Sequence, residues 1–229
     1  MSTVTWGELK DRISRRAHKN LNRDVQNEDV EYWAKAGIEL VEAEDAWPWL
    51  RTTESLTLVA DQYEYAWPDR LARYDSRSFR YGGPGTYLID FHRPERLDGE
   101  LGPNWRDSAG TAGNPEYYVA FGRNFWVARK PSSAFVADNP TLHFYGWQTD
   151  LYTLTQSPTD STSLAVPREY AESYVTAALT CGLQQEDDPD WARLREVHNQ
   201  NMIKLRSVDE SVSADEEARL PRFARYMEY

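Results

Sequence analysis

Trp47-Pro48-Trp49-Leu50-Arg51 divides the chain into two hydropathy patterns. Before it, apolar residues recur at helical spacing; from Thr53 onward they alternate. Proline lacks a backbone N–H and biases its predecessor away from the helical region, so a helix arriving from the N-terminal side must stop near Trp47. Trp47, Trp49 and Leu50 then form an apolar knot at the exit. Leu56 and Leu58 alternate with Ser55, Thr57 and Val59; Tyr63, Tyr65 and Trp67 alternate with Glu64 and Ala66. Ala60-Asp61-Gln62 lies between these runs as a tight connection, so they are expected to pair as a hairpin. The stretch reads as the joint between a helical part and a β part.

Upstream, Thr5-Trp6-Gly7-Glu8 fits a capping box, with Val4 and Leu9 placed for a hydrophobic staple. Trp6, Leu9, Ile13 and Ala17 share one helical face. The other face is basic, carrying Lys10, Arg12, Arg15, Arg16 and Lys19, with Arg23 beyond. Such a face is solvated unless it meets nucleic acid or an acidic protein surface. Asn20–Asp24 reads as a turn. Asn27 is expected to cap a second helix with Val30, Trp33, Ala34, Gly37, Leu40 and Val41 inward, and the short connection predicts an antiparallel pair.

From Thr53 to about Thr155 the pattern predicts short antiparallel strands in a sandwich-like or barrel-like sheet. Leu71–Tyr81 and Thr86–Ile89 flank the turn Gly82–Gly85, which lacks the spacing and lysine of a phosphate loop. Pro94–Leu97 is expected as one helical turn, and Gly99–Pro115 and Pro131–Pro140 as loops. Tyr117–Phe121 and Phe125–Ala128 flank Gly122-Arg123-Asn124 as a hairpin, and Thr141–Trp147 is the last strong strand.

Leu154–Val166 reads as irregular. Pro167 suits the first position of a helix whose face is Tyr170, Tyr174, Ala177, Ala178 and Cys181. Asp188-Pro189 starts another, with Trp191, Leu194, Val197, Met202 and Leu205 inward. Val208–Tyr229 reads as a tail, acidic first and then rich in arginine and aromatics: Arg219, Leu220, Arg222, Phe223, Arg225 and Tyr226. A segment of that kind orders on a partner or stays disordered. The expected fold class is α+β. Residues 1–51 and 166–207 supply two helix pairs of one bundle, 52–165 form an inserted antiparallel β-sandwich-like domain, and 208–229 an extended tail arm.

The net charge of -11 argues against a protein that coats DNA, which needs basic groups to displace counterions. One cysteine allows no internal disulfide. No apolar run reaches the roughly 18–20 residues of a membrane span, and the N-terminus lacks the apolar core of a signal peptide, so no membrane contact is expected. His18, His92, His143 and His198 are scattered without metal-ligand spacing, and no serine sits in a nucleophile elbow. Cys181 reads as a packed thiol, because reactive thiols need an exposed electropositive setting. Glu186–Asp190 reads as capping rather than a calcium loop. The expectation is a protein without enzyme activity, metal or cofactor.

The order of these features resembles the head-to-tail adaptor, or connector, proteins of tailed bacteriophages, particularly short-tailed ones. The resemblance rests on Trp47–Arg51, Leu56–Tyr65 and Trp67-Pro68-Asp69-Arg70-Leu71. It continues through Gly113-Asn114-Pro115-Glu116-Tyr117-Tyr118 and Val166-Pro167-Arg168-Glu169-Tyr170. It spans about Val30 to Leu205; the Gly99–Pro115 loop and the segment after Val208 depart from it.

The resemblance implies a structural virion protein of the neck, made in the host cytoplasm. It would assemble with itself as a ring, a dodecamer, beneath the portal protein, with the next tail protein (nozzle or tail tube) below. DNA would pass through its channel without specific binding. Within that frame Arg219, Leu220, Arg222, Phe223, Arg225 and Tyr226 are the expected portal-binding arm. Arg12, Arg15, Arg16 and Lys19 are the expected inter-subunit or channel-facing helix. The nine Trp and fourteen Tyr suit repeated interfaces. They also fit an alternative of another class, a glycan-binding module of a tail or surface component whose β face stacks sugars on exposed aromatics. A hydrolase built on scattered carboxylates is the weakest option.

Overall fold

Pro48 ends the second helix where the sequence requires it. The computed structural model describes residues 2–21, 25–82, 87–102, 105 and 112–217. The chain folds as two compact units, Met1–Leu50 with Asp150–Tyr229, and Arg51–Thr149. The fold is mixed α+β, with antiparallel pairing in nearly every strand pair.

The first unit contains β1 (Thr3–Thr5), α1 (Trp6–Leu21), α2 (Asn27–Glu44) and a 3-10 turn at Pro48–Leu50. After the second unit it resumes with α5 (Asp150–Thr155), β11 (Ser163–Pro167), a 3-10 turn at Arg168–Tyr170, α6 (Ala171–Gln185) and α7 (Trp191–Glu217). α6 is the central element: α1, α2 and α7 all pack on it. The sequence reads one apolar face on α6, but the helix is buried nearly all round, from Ala171 to Leu183. Two of its threonines are satisfied within the helix. The Thr176 and Thr180 hydroxyls donate to the carbonyls of Glu172 and Thr176, both at 2.8 Å.

Two glycines set the close approach of α2 and α6. A Cβ on Gly37 would lie 2.5 Å from the Ala178 backbone nitrogen, and one on Gly182 would lie 2.2 Å from the Trp33 ring. At the end of α2, Trp47 and Trp49 stack with centroids 5.0 Å apart. The Trp47 indole N–H donates to the Val41 carbonyl at 2.7 Å, and that of Trp49 to the Tyr174 hydroxyl at 3.2 Å. The apolar knot is thus also the cap of the helix it terminates.

The second unit contains β2 (Arg51–Thr57), β3 (Glu64–Ala66), β4 (Leu71–Tyr74), β5 (Arg80–Tyr81), β6 (Tyr87–Leu88), β7 (Asp90–Phe91) and α3 (Pro94–Leu101). It continues with β8 (Tyr117–Phe121), β9 (Asn124–Ala128), α4 (Ser133–Asp138) and β10 (Thr141–Gln148). One sheet runs β2-β10-β5-β6, with β4 also on β10; the other runs β3-β9-β8-β7, in which β7 and β8 are parallel. Phe79 lies at the centre of an aromatic core, stacked on Phe144 at 4.6 Å and on Tyr118 at 4.0 Å. Glu54 is buried in β2 and receives both arms of the Arg70 guanidinium, at 2.8 Å each.

Several expectations are corrected. Leu56–Leu58 and Tyr63–Trp67 do not form a hairpin: β2 pairs with β10 and β3 with β9, in different sheets. Asp61, at φ 62°, turns the chain from one sheet to the other, and Tyr65 fastens the crossing by accepting from the Val59 N–H at 3.2 Å. Pro131–Pro140 contains α4, capped by the Ser132 hydroxyl, which accepts from the Phe135 N–H at 3.1 Å. The turn at Pro94 extends to Leu101, and Trp105, in the expected loop, is buried. Leu71–Tyr81 is broken by a turn at Asp75–Ser78.

In the first unit, Thr3–Thr5 is a strand paired with β11 in the stretch read as irregular, which also contains part of α5. Pro167 ends that strand, and α6 begins only at Ala171 because the 3-10 turn intervenes. Asn27 is the first residue of α2 and not its cap; Gln26 holds the cap position without a side-chain bond. The tail does not begin at Val208, since α7 continues to Glu217.

Candidate interaction surface

α1 starts as its sequence prescribes, with the Thr5 hydroxyl accepting from the Glu8 N–H at 3.2 Å. The Glu8 carboxylate does not turn back to complete the box. It accepts from Arg12 at 2.8 Å and from Arg168, just after β11, at 2.8 Å. The Arg12 bond, with that of Arg168, holds the Glu8 carboxyl below its ordinary range against the opposing effect of desolvation. Arg12 and Arg16 both reach Glu172 on α6, at 3.7 and 3.2 Å. Lys10 bridges Glu31 at 3.0 Å and Asp160 at 2.9 Å. Burial opposes its charge, but those two carboxylates hold its ammonium above the ordinary value.

The basic face therefore divides. Lys10, Arg12 and Arg16 tie α1 to its own unit. Among the described residues Arg15 pairs only with Asp11 one turn back; its side chain is 80% exposed, and Lys19 is exposed. The structure brings Arg12 and Arg16 together on Glu172 and leaves Arg15 and Lys19 outward. Arg219, Leu220, Arg222, Phe223, Arg225 and Tyr226 lie outside the described residues. Glu172 and Arg168, about 160 residues from Arg12 and Glu8, carried no local signal.

Beside Glu172, residues of α6, α7 and the preceding turn enclose a groove of about 260 Å³, lined by Glu169, Tyr170, Glu172, Ser173, Asn201, Lys204 and Leu205. In the other unit Phe79, Tyr118, Phe125 and Phe144 are buried, and among its described residues the exposed large apolar ones are Val59, Tyr87, Leu88 and Phe91.

Cys181 is half-buried, and burial pushes its thiol up despite the nearby Arg195. At Glu186–Asp190, the Asp188 carboxylate accepts from the Asp190 N–H at 2.9 Å ahead of α7. Among the described residues no group of three or more His, Cys, Asp or Glu could hold a metal ion, and no helix is long and apolar enough to cross a membrane.

Two buried titratable groups make the first unit pH-sensitive in opposite senses. Asp150 opens α5; its carboxylate accepts from the Ala165 N–H at 2.8 Å, and its own N–H donates to Glu42 at 3.1 Å. Burial pushes Asp150 up to about 6 from 3.8, against the backbone N–H groups of Ala165 and Val166. Between pH 4 and 6 the native state keeps a proton that the unfolded chain releases. This stabilisation is present at low pH and lost as pH rises through about 6, by about 3 kcal/mol in all. Urea melts across pH 4–7 should show Asp150→Asn flattening this slope.

His198 on α7 is buried, and among the described residues neither ring nitrogen has a hydrogen-bond partner. Burial lowers its basicity, Arg195 adds to that, and Glu44 opposes it. Its unfolded form takes up a proton first, so stability is lost as pH falls below about 6.5. His198→Leu should raise stability by about 1–2 kcal/mol at pH 7, and by more at pH 5. A lower melting temperature for the leucine variant would contradict the burial argument.

The chain belongs to the SU10 adaptor protein family, whose sequence model matches residues 4–223. No curated protein matches it. The family is one of structural phage adaptors, components of the virion neck that contact portal and tail proteins.

Proposed function

We propose that the chain is a head-to-tail adaptor that assembles as a closed ring of twelve copies beneath the portal and continues the DNA channel toward the next tail protein. The observation that carries this reading is the extent of the family match, which runs from the N-terminal strand through both units and ends at Phe223, within the arginine-aromatic segment. In the ring, the helices of the first unit act as one bundle forming the wall, with the β unit inserted as a sandwich-like domain. Arg15 and Lys19, with Arg12 and Arg16 behind them, face acidic groups of the neighbouring copy. The charge of -11 per chain keeps phosphates from adhering to the channel.

The arm residues Arg219, Leu220, Arg222, Phe223, Arg225 and Tyr226 anchor each copy to the portal. Aromatic and arginine anchors of this kind carry about 2–4 kcal/mol each. Because α7 runs to Glu217, a truncation after that residue removes the arm and leaves the described helix intact. Incubated with portal rings and sedimented, the full chain should co-migrate and the truncated chain should stay free. Undiminished attachment of the truncated chain would remove the arm from the account.

A further inference from the structure

We infer that the outward face of the sheet β2-β10-β5-β6 is a carboxylate-binding surface, and that its partner is the Glu186–Asp190 loop of a second copy of this chain. Leu142 and Phe144 of β10 are buried in the core, so His143, Tyr145 and Trp147 lie on the opposite face. Strand register sets three arginines around them. Arg51 of β2 and Arg73 of β4 flank Trp147 on either side, and Arg80 of β5 stands beside His143. The Arg51 and Arg80 guanidinium groups lie 4.7 and 4.6 Å from the centre of the Tyr145 ring. Arg80 also donates to the Tyr145 hydroxyl at 2.7 Å. The remaining register positions of this face are threonine, serine and leucine, with no aspartate or glutamate.

Arg51 is exposed, and the other two arginines and the three rings are half-buried. Among the described residues neither Arg51 nor Arg80 forms an ion pair. The Tyr145 ring holds these two like charges together, and an anion placed between them relieves their repulsion. A guanidinium presents its donors as a fork that fits a carboxylate, and arginine, tyrosine and tryptophan are enriched at interface centres. In a chain of net charge -11, a face without carboxylates has its complement in the acidic surfaces of the same chain. The Glu186–Asp190 loop carries four carboxylates in five residues, the densest run in the sequence. It joins α6 to α7 with Glu186, Asp187 and Asp190 exposed, and among the described residues Asp187 and Asp188 form no ion pair. A contact between two different patches of identical chains is heterologous, the kind that closes into a ring. The inference rests on the ring reading above and supplies a contact for it from the β unit.

The test uses two full-length chains, both carrying Cys181→Ser, one with Thr53→Cys on the face and the other with Pro189→Cys in the loop, at exposed positions. They are mixed in equal amounts with portal rings and treated with a short bismaleimide. The expected product, identified by mass spectrometry, joins position 53 of one copy to position 189 of the next. Arg51→Glu with Arg80→Glu in the first chain should lower its yield roughly tenfold or more. Asp187→Arg with Asp188→Arg in the second chain should do the same. The two reversed chains together should restore the yield, which a folding defect would not allow. Rings that form without this cross-link, a yield unmoved by either reversal, or reversals that do not restore one another would overturn the inference and leave the ring standing. If the arginine reversal leaves the yield intact and instead reduces retention of duplex DNA on a filter, the face serves phosphates and the inference falls. Absence of rings would overturn the ring reading and this contact together.

Discussion

Phe79→Ala is expected to lower the stability of the β unit by about 3–5 kcal/mol, the largest single-residue effect in that unit. Phe79 is fully buried. It stacks on Phe144 and Tyr118 and meets Trp67, Tyr74 and Phe125 edge-on. These rings come from elements of both sheets, so no one neighbour can close over the vacancy, and the cavity term adds to the lost transfer energy. The residue lies between β4 and β5, and its backbone carbonyl accepts from the Ile89 N–H at 2.9 Å, so the segment is held on its other side. Urea unfolding followed by near-ultraviolet circular dichroism, which reports on packed aromatics, measures the change. A loss below about 1 kcal/mol would mean that the aromatic cluster is not the core of this unit.

Gly182→Ala should cost about 3 kcal/mol in the helical unit, the upper part of the range for overpacking. In most helices the same change is favourable, because alanine loses less backbone entropy than glycine. Here the new methyl would lie 2.2 Å from the Trp33 ring, which is itself 2% exposed and cannot swing away. α2 and α6 must part, and α6 is the helix on which α1, α2 and α7 all pack. Gly99→Ala in α3 is the control: a Cβ there meets nothing within 4 Å, so the ordinary helix gain of about 0.5–1 kcal/mol is expected. Thermal melts of the two variants should move in opposite directions. A stabilised Gly182→Ala chain would contradict the close crossing.

The helical pattern around Trp33, the stop at Pro48, the Tyr117–Ala128 hairpin and the Thr141–Trp147 strand were all legible, because each depends on residues within a few positions. Strand partners were not. Leu58 and Tyr63 look like the two sides of one turn, but Leu58 donates to Pro140 and the Tyr63 carbonyl accepts from Val127. Alternation tells which residues face inward and says nothing about which strand lies alongside. β1 and β11 were missed for the same reason: Thr3–Thr5 has too few residues to show a period, and its partner is some 160 positions away. At the interaction surface the sequence marked the basic stripe of α1. It could not mark Glu172, which takes up Arg12 and Arg16 and so separates them from the outward Arg15 and Lys19. Nor could it mark the groove, which exists only where α6 and α7 meet.

The most direct measurement is the mass and symmetry of the complex formed when the purified chain is mixed with portal rings from the same phage, by native mass spectrometry and cryo-electron microscopy. The account predicts a closed ring of twelve copies on the portal's tail-facing side, coaxial with its channel. Single copies scattered on the portal, a ring that does not share its axis, or no complex at all would contradict it.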